Sequence, residues 1–275
     1  MLNEQQKMSY HRDGCLILEN FFSGTEMDQL KAAAAKVVDD FDPNSTRSVF
    51  STQEQSLSRD DYFLSSGDKV RCFFEEDAFD GEGNLKQDKS LSINKIGHAL
   101  HVLNPTFSKF SHSPKIKGIV QALGMQQPQI RQSMYIFKQP KIGGVVRWHQ
   151  DATYFYTTPI TVITLWLAVE DATIQNGCIQ VKKGGGNTAL KEQFTRDQSD
   201  NTELLVLDNT PWPQDEEAMP LEVKKGSLIV FNGLLPHFSA PNVSDTSRHA
   251  YTLHITSASS EYAKENWLQA QPSQL

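Results

Sequence analysis

Cysteine is scarce: Cys15, Cys72 and Cys178 are the only three, an odd number without zinc spacing, which argues against a disulfide framework or a cysteine-ligated metal. Their scarcity fits a reducing compartment, and a cytoplasmic protein is the expectation. No apolar run reaches the ~18 residues of a membrane span, and Met1-Leu2-Asn3-Glu4-Gln5 has no signal-peptide pattern. The closing Ser273-Gln274-Leu275 echoes a peroxisomal Ser-Lys-Leu address but lacks its lysine, so a frayed tail is the simpler reading. Basic charge is short as well. With 26 Lys and Arg against 33 Asp and Glu, the net charge of −7 argues against a nucleic-acid partner. The doublets Lys182-Lys183 and Lys224-Lys225 read as solvated loop charges. Repeats and low-complexity tracts are absent, and no composition shift marks a boundary. The 275 residues, 38% of them hydrophobic, are therefore expected to form one domain, mainly helical support over 1–128 and mainly barrel over 129–268.

In the first part, an apolar strand is expected at Cys15–Leu18. Ser23 with Glu26 forms a capping box, and Met27, Leu30, Ala34, Val37, Val38 and Phe41 then recur at helical spacing. Residues 42–64 are polar and aperiodic, which predicts a long surface loop bordering the site. A strand is expected over 70–74, a turn-rich excursion over 79–84, and helices over 94–102 and 114–123, the second with Pro114 at its start and Gly124 at its end. Beyond Gln129 short apolar runs separated by Gly, Pro and Asn predict seven strands, at 134–138, 145–151, 162–169, 178–181, 204–207, 227–231 and 250–256. Such punctuation suggests an antiparallel sandwich or barrel. The run 162–169 is apolar on both faces and should be buried. In the last strand Arg248, Ala250, Thr252 and His254 share one parity and Tyr251, Leu253 and Ile255 the other, so one face is polar, as a ligand-filled barrel interior would be.

The chemistry concentrates at His149-Gln150-Asp151. In an extended segment side chains repeat every second residue, so His149 and Asp151 face the same way. An imidazole and a carboxylate on one face, joined by a distant His, make the 2-His-1-carboxylate set that leaves iron positions open for substrates. His237, 88 residues on, is the candidate third ligand. Arg248, eleven residues further, offers a fixed fork of donors suited to a carboxylate. A second H-x-D at His11-Arg12-Asp13 is read as chance, because it falls at a helix end where i and i+2 do not share a face. His98 and His101, three apart on the expected helix, lack a carboxylate partner and are read as capping or lining the pocket. His112 and His249 are read as solvated. His254, on the polar face, is positioned to touch substrate.

Several longer stretches are informative together: residues 61–69 (Asp61-Tyr62-Phe63-Leu64-Ser65-Ser66-Gly67-Asp68-Lys69), 92–101 from Ser92 to His101, 132–140 from Gln132 to Pro140, His149-Gln150-Asp151-Ala152, Trp166 with 168–172, Asn176-Gly177-Cys178, and 242–252 ending in Arg248 and Ala250-Tyr251-Thr252. Over about Gln6 to Trp267 the chain resembles the phytanoyl-CoA dioxygenase family of Fe(II)- and 2-oxoglutarate-dependent oxygenases, and within it the domain-containing proteins of that name. The resemblance implies a double-stranded β-helix of jelly-roll or cupin-like type, mainly β with flanking N-terminal helices. It also implies Fe(II) on His149, Asp151 and His237, with 2-oxoglutarate chelating the metal, its far carboxylate on Arg248, and dioxygen in the remaining position. The reaction implied decarboxylates 2-oxoglutarate to succinate and CO2 and hydroxylates a small organic substrate. Lys95, Met134, Trp166 and Ser247 look like further cosubstrate residues, against which stand plainer roles as a surface helix charge, core filler, barrel packing and a turn.

The chain departs from the family after Asn176-Gly177-Cys178, where members continue into a Pro-Gly-Ser-His turn and this chain has Lys182-Lys183-Gly184-Gly185-Gly186-Asn187. That loop is expected at the barrel mouth, mobile through its three glycines and governing substrate choice. An acyl-CoA, another lipid-like molecule or a small metabolite all fit the sequence. A non-catalytic metal and 2-oxoglutarate sensor would carry the same triad. A zinc hydrolase is disfavoured because it leaves Arg248 without a role, and an oxidative halogenase because Asp151 occupies the position that halide needs.

Overall fold

A computed structural model describes residues 2–52 and 60–275. Asn3 and Gln6 form a capping box on α1 (Glu4–Asp13), which Gly14 ends at a φ of 78°. β1 (Cys15–Leu18) follows, then α2 (Gly24–Asp40) behind the expected Ser23/Glu26 box. Met27, Leu30, Ala34 and Val38 are its buried face, and Val37 and Phe41 pack at the edge. The expected loop over 42–64 falls partly outside the described residues, and its end is a helical turn, α3 (Asp61–Leu64), capped by Asp60. β2 (Val70–Phe74) has the expected bounds.

The next segment corrects the expected helix over 94–102. β3 (Ile93–His98) is a strand there, followed by the short helices α4 (Leu100–Leu103) and α5 (Pro105–Ser111) and then α6 (Pro114–Ala122). β3 pairs with β2 on one side and a later strand on the other, so long-range pairing overrides the local helical pattern.

The remaining strands are β4 (Pro128–Ile136), β5 (Val146–His149), β6 (Thr157–Thr158), β7 (Ile163–Ala168), β8 (Ile179–Lys182), β9 (Glu192–Arg196), β10 (Thr202–Val206), β11 (Ala218–Pro220), β12 (Leu228–Asn232), β13 (His237–Ser239), β14 (Ala250–Ser257), β15 (Glu261–Tyr262) and β16 (Ser273–Gln274). All seven expected strands are present with shifted ends. The strands that sequence missed are too short or too polar to show a period, β13 among them.

The large sheet runs β1-β12-β7-β14-β4-β3-β2, with β16 also on β4, and the small one runs β11-β8-β13-β5. The architecture is a mostly β double-stranded β-helix, as expected, with one refinement: β1, β2 and β3 come from the first 128 residues. Strand alternation places its two faces. On β7 and β14, Leu165, Leu167, Tyr251, Leu253 and Ile255 point outward into a core shared with α2, α5 and α6, while Thr164, Trp166, Thr252 and His254 point into the cavity. β7 is buried on both faces, as its composition predicts. No helix among the described residues is long and apolar enough to cross a membrane.

Two expectations about peripheral segments fail. The C-terminal tail is tied down, because β16 pairs with β4, the Leu275 amide donates to the Pro128 carbonyl and Ser273 Oγ lies 2.6 Å from His112 Nε2. The Lys182–Asn187 loop is no flap over the cavity. Its Gly185–Asn187 turn sits against the end of α1, and a Cβ on Gly186 would lie 2.6 Å from the Gly14 backbone nitrogen. Gly186 permits this close backbone approach.

Candidate metal centre and cavity

β5 and β13 are neighbours in the small sheet and place His149 directly opposite His237. Their rings lie 4.1 Å apart between centroids. Asp151 begins a 3-10 turn just past β5, and because Gln150 between them is still extended, its carboxylate emerges on the side of His149. Asp151 Oδ1 lies 3.7 Å from His149 Nε2 and 3.8 Å from His237 Nε2. Ligand atoms of all three residues fall within 4.8 Å of one another, a spacing that suits a metal ion.

Each of the three is oriented from behind. His149 Nδ1 donates to the Arg147 carbonyl at 2.8 Å and His237 Nδ1 to the Leu235 carbonyl at 2.9 Å. Both Nε2 lone pairs are thereby left free for a metal. Thr164 Oγ1, on β7, donates to Asp151 Oδ2 and leaves Oδ1 toward the histidines. Gln150 points the other way. Its amide donates to the Ala189 and Leu234 carbonyls and accepts from the Lys191 amide, clamping the turn to two loops. Nothing in the sequence beyond its parity points to that role.

Burial, helped by the neighbouring His237, pushes His149 down to about 3, so it is neutral near pH 7. For Asp151 burial works upward, but the imidazoles of His237, His254 and His149 outweigh it and hold the carboxyl far below the usual carboxylate range. A neutral imidazole beside an ionised carboxylate is the donor set that a divalent iron site needs.

The triad opens on a cavity of about 190 Å³. Arg248 lies in its wall, 2% exposed, its guanidinium 5.2 Å from the Trp166 ring. Burial lowers its pKa to about 10, and it remains a cation. Its Nε and Nη1 have no hydrogen-bond partner among the described residues, nor has Trp166 Nε1. A buried cation with unmade bonds is costly unless something completes it. The residues present therefore fit a metal together with an anionic cosubstrate.

Lys95 and Met134 also line this cavity. Lys95 is no surface helix charge: it is 4% exposed on β3, its Nζ 3.1 Å from the Phe50 ring centroid, and burial lowers its pKa well below the ordinary value. Ser247 is a correction. Its hydroxyl donates to Glu170 and it does not line the cavity that Arg248 enters. Ser239 does line it, two residues past His237 on β13, and period-two reasoning from His237 would have found it.

The other histidines match expectation in part. His249 is not solvated but bonds the Tyr135 hydroxyl at 2.9 Å, and His112 bonds Ser273. His98 and His101 are not on one helical face: His98 ends β3 and lines the cavity, while His101 in α4 bonds Ser133 Oγ at 2.8 Å. His254 lines the cavity, 3.6 Å from Asp151 Oδ1. His11 is exposed, and Asp13 pairs with Arg12 instead.

Fold and site together define a double-stranded β-helix of the kind found in 2-oxoglutarate-dependent oxygenases. The structure is similar to a non-heme α-ketoglutarate-dependent carbocyclase, SnoK, from nogalamycin biosynthesis, with a TM-score of 0.66 at 19% identity over 95% of this chain and 86% of that one. It is equally similar to EctD from S. alaskensis with 2-oxoglutarate and 5-hydroxyectoine, with a TM-score of 0.66 at 17% identity over 99% and 85%. By sequence, residues 10–250 match the model of the phytanoyl-CoA dioxygenase (PhyH) family, and the chain belongs to that family. It is 41% identical over 273 residues to a phytanoyl-CoA dioxygenase domain-containing protein 1 homolog of Dictyostelium discoideum, covering 98% of this chain and 97% of the relative.

Proposed function

We infer that the chain, acting as one unit over residues 1–275, is an Fe(II)- and 2-oxoglutarate-dependent dioxygenase that hydroxylates a small organic substrate. The observation that carries this reading is Arg248, a buried cation with unpartnered donors in the same cavity as a His-Asp-His set. His149 Nε2, Asp151 Oδ1 and His237 Nε2 would hold the metal. The two-pronged guanidinium of Arg248 would take the far carboxylate of 2-oxoglutarate, which a plain zinc hydrolase would not require. Lys95, Met134 and Trp166 would line the cosubstrate's place, with Ser239 in the position first given to Ser247.

Bound iron supplies the redox chemistry, in which 2-oxoglutarate and dioxygen give succinate and CO2, one oxygen atom entering succinate and the other the substrate as hydroxyl. This chain's residues do the rest. Thr164 and the two carbonyls behind the histidines fix the ligand atoms, Arg248 orients the cosubstrate, and the apolar lining from Phe155, Phe194, Phe231 and Phe238 excludes water.

The test is succinate formation by purified protein supplied with Fe(II), 2-oxoglutarate and air, read beside 2-oxoglutarate binding to the Mn(II)-loaded protein. Slow succinate formation without added substrate, dependent on both iron and Arg248, is the expected result. Absence of 2-oxoglutarate binding in the metal-loaded protein would overturn the assignment.

A further inference from the structure

Thr252 and His254 lie on the cavity face of β14, and Arg248 enters the same cavity from just before that strand. His254 itself faces the triad, its Nε2 3.6 Å from Asp151 Oδ1, and the cavity wall continues from it across β4 to His98 on β3. Phe155 stacks on His254 at 4.7 Å, Gln132 is its neighbour across the ladder on β4, and His98 sits beside Ser133 on the next strand.

His98 is fully buried and boxed by aromatic rings, with Phe63 at 5.3 Å, Trp267 at 5.2 Å and Phe73 at 5.5 Å between centroids. Its Nδ1 lies 2.7 Å from Ser66 Oγ, which itself lies 2.5 Å from the Phe63 carbonyl oxygen. Ser66 has one proton. Two oxygens at that distance without a proton between them would repel, so the hydroxyl donates to the carbonyl and His98 Nδ1–H donates to Ser66. His98 Nε2 is then an unprotonated acceptor, and it has no partner among the described residues. An imidazole lone pair buried in an aromatic box is costly until a donor meets it.

The charges nearby narrow the class of donor. Arg147, which lines this cavity, is paired with Glu192 at 2.8 Å, and the Lys95 ammonium lies over the Phe50 ring. Arg147 is thus already paired and burial disfavours the charged form of Lys95, so neither favours a phosphate-rich carrier, and Lys182 and Lys183 do not line the cavity.

We propose that the lobe beside His98 is the substrate subsite, and that it takes a small uncharged molecule with an apolar body and one hydroxyl or N–H donor, which His98 Nε2 accepts. Ser66 is a positioning residue that fixes the His98 tautomer. The word substrate rests on the oxygenase reading; the binding chemistry does not.

The test measures binding of benzyl alcohol, benzyl methyl ether and benzoate, by calorimetry or ligand-observed NMR, to the apo protein and to protein loaded with Zn(II) and 2-oxoglutarate. Benzyl alcohol should bind about 5- to 10-fold more tightly than the ether or benzoate, as one hydrogen bond to a buried acceptor implies. His98→Phe should erase the preference, His98→Gln should keep part of it through its amide oxygen, and Ser66→Ala should reduce it with His98 in place. Equal binding of alcohol and ether, tighter binding of benzoate, no binding of any probe, or a preference that survives His98→Phe would overturn the proposal. Should His98→Phe fail to fold, Ser66→Ala decides, an undiminished preference there counting against it. Loss of Zn(II) or 2-oxoglutarate binding in the wild type would instead strike the oxygenase reading, while the apo measurement still tests the subsite.

Discussion

Replacing Arg248 with Met should make the resting protein more stable while removing its capacity to bind 2-oxoglutarate. The guanidinium is 2% exposed with Nε and Nη1 unpartnered among the described residues, and burial lowers its pKa from the ordinary arginine value to about 10. At ~1.4 kcal/mol for each pKa unit, that fall corresponds to about 3 kcal/mol against the charged folded form. The sign follows from a folded value below the unfolded one: the penalty is fully present below pH 10 and fades only as pH rises toward the ordinary arginine value, so an assay at pH 7.5 meets all of it. Part of the gain is offset, because Glu75, whose own pKa burial raises, loses its attraction to Arg248 and keeps only Lys138, which is itself relieved of the Arg248 charge. A net gain of about 1–2 kcal/mol is expected, comparable to other replacements of buried ions by apolar groups. For a chain of this length that is roughly 2–4 °C in Tm, read by scanning calorimetry. With Mn(II) present, the wild type at 100 times its Kd for 2-oxoglutarate should gain about 2.7 kcal/mol more, and the variant nothing. A variant less stable than wild type, or one still stabilised by 2-oxoglutarate, would refute the reasoning that this cation is held ready for a carboxylate.

His149→Ala, Asp151→Ala and His237→Ala should each abolish stoichiometric Fe(II) binding, measured by metal analysis after anaerobic loading, while His11→Ala and Asp13→Ala leave it intact. Thr164→Val should keep the fold but weaken metal binding about 10-fold, because Asp151 Oδ2 loses the hydroxyl that orients it; unchanged affinity in a competition titration would remove Thr164 from the site. Gly186→Ala should lower stability by about 1–3 kcal/mol in denaturant unfolding, since its Cβ would meet the Gly14 backbone at 2.6 Å; a neutral result would mean that the turn yields.

What could be read in the sequence was what local geometry determines. His149 and Asp151 share a side because of the two-residue period alone, and the Ser23/Glu26 box and the Gly14 and Gly124 helix ends are equally local. β7 was legible because six consecutive buried positions leave no amphipathic alternative. Misreadings arose where a partner decides the conformation. Ile93–His98 carries apolar residues at spacings compatible with a helix, and only β2 and β4 on either side make it a strand. β13 has three residues, too few for any period, although it delivers His237 and Ser239 to the cavity.

The glycine run after Lys183 shows why composition alone could not assign a role. Glycine serves both a chain that must move and a chain that must be approached closely, and the sequence is the same in either case. Here Gly186 meets Gly14, Asn232 donates to the Gly186 carbonyl, and Gly185 packs on Leu235 and Pro236, immediately before His237. The turn therefore braces the segment that carries the third ligand from the outside of the barrel. Substrate choice is better sought in side chains that point into the cavity from rigid strands and the segments packed on them. His98 at the end of β3 and His254 on β14 meet that condition, both being buried on strands of the large sheet and each carrying a ring nitrogen with no partner among the described residues.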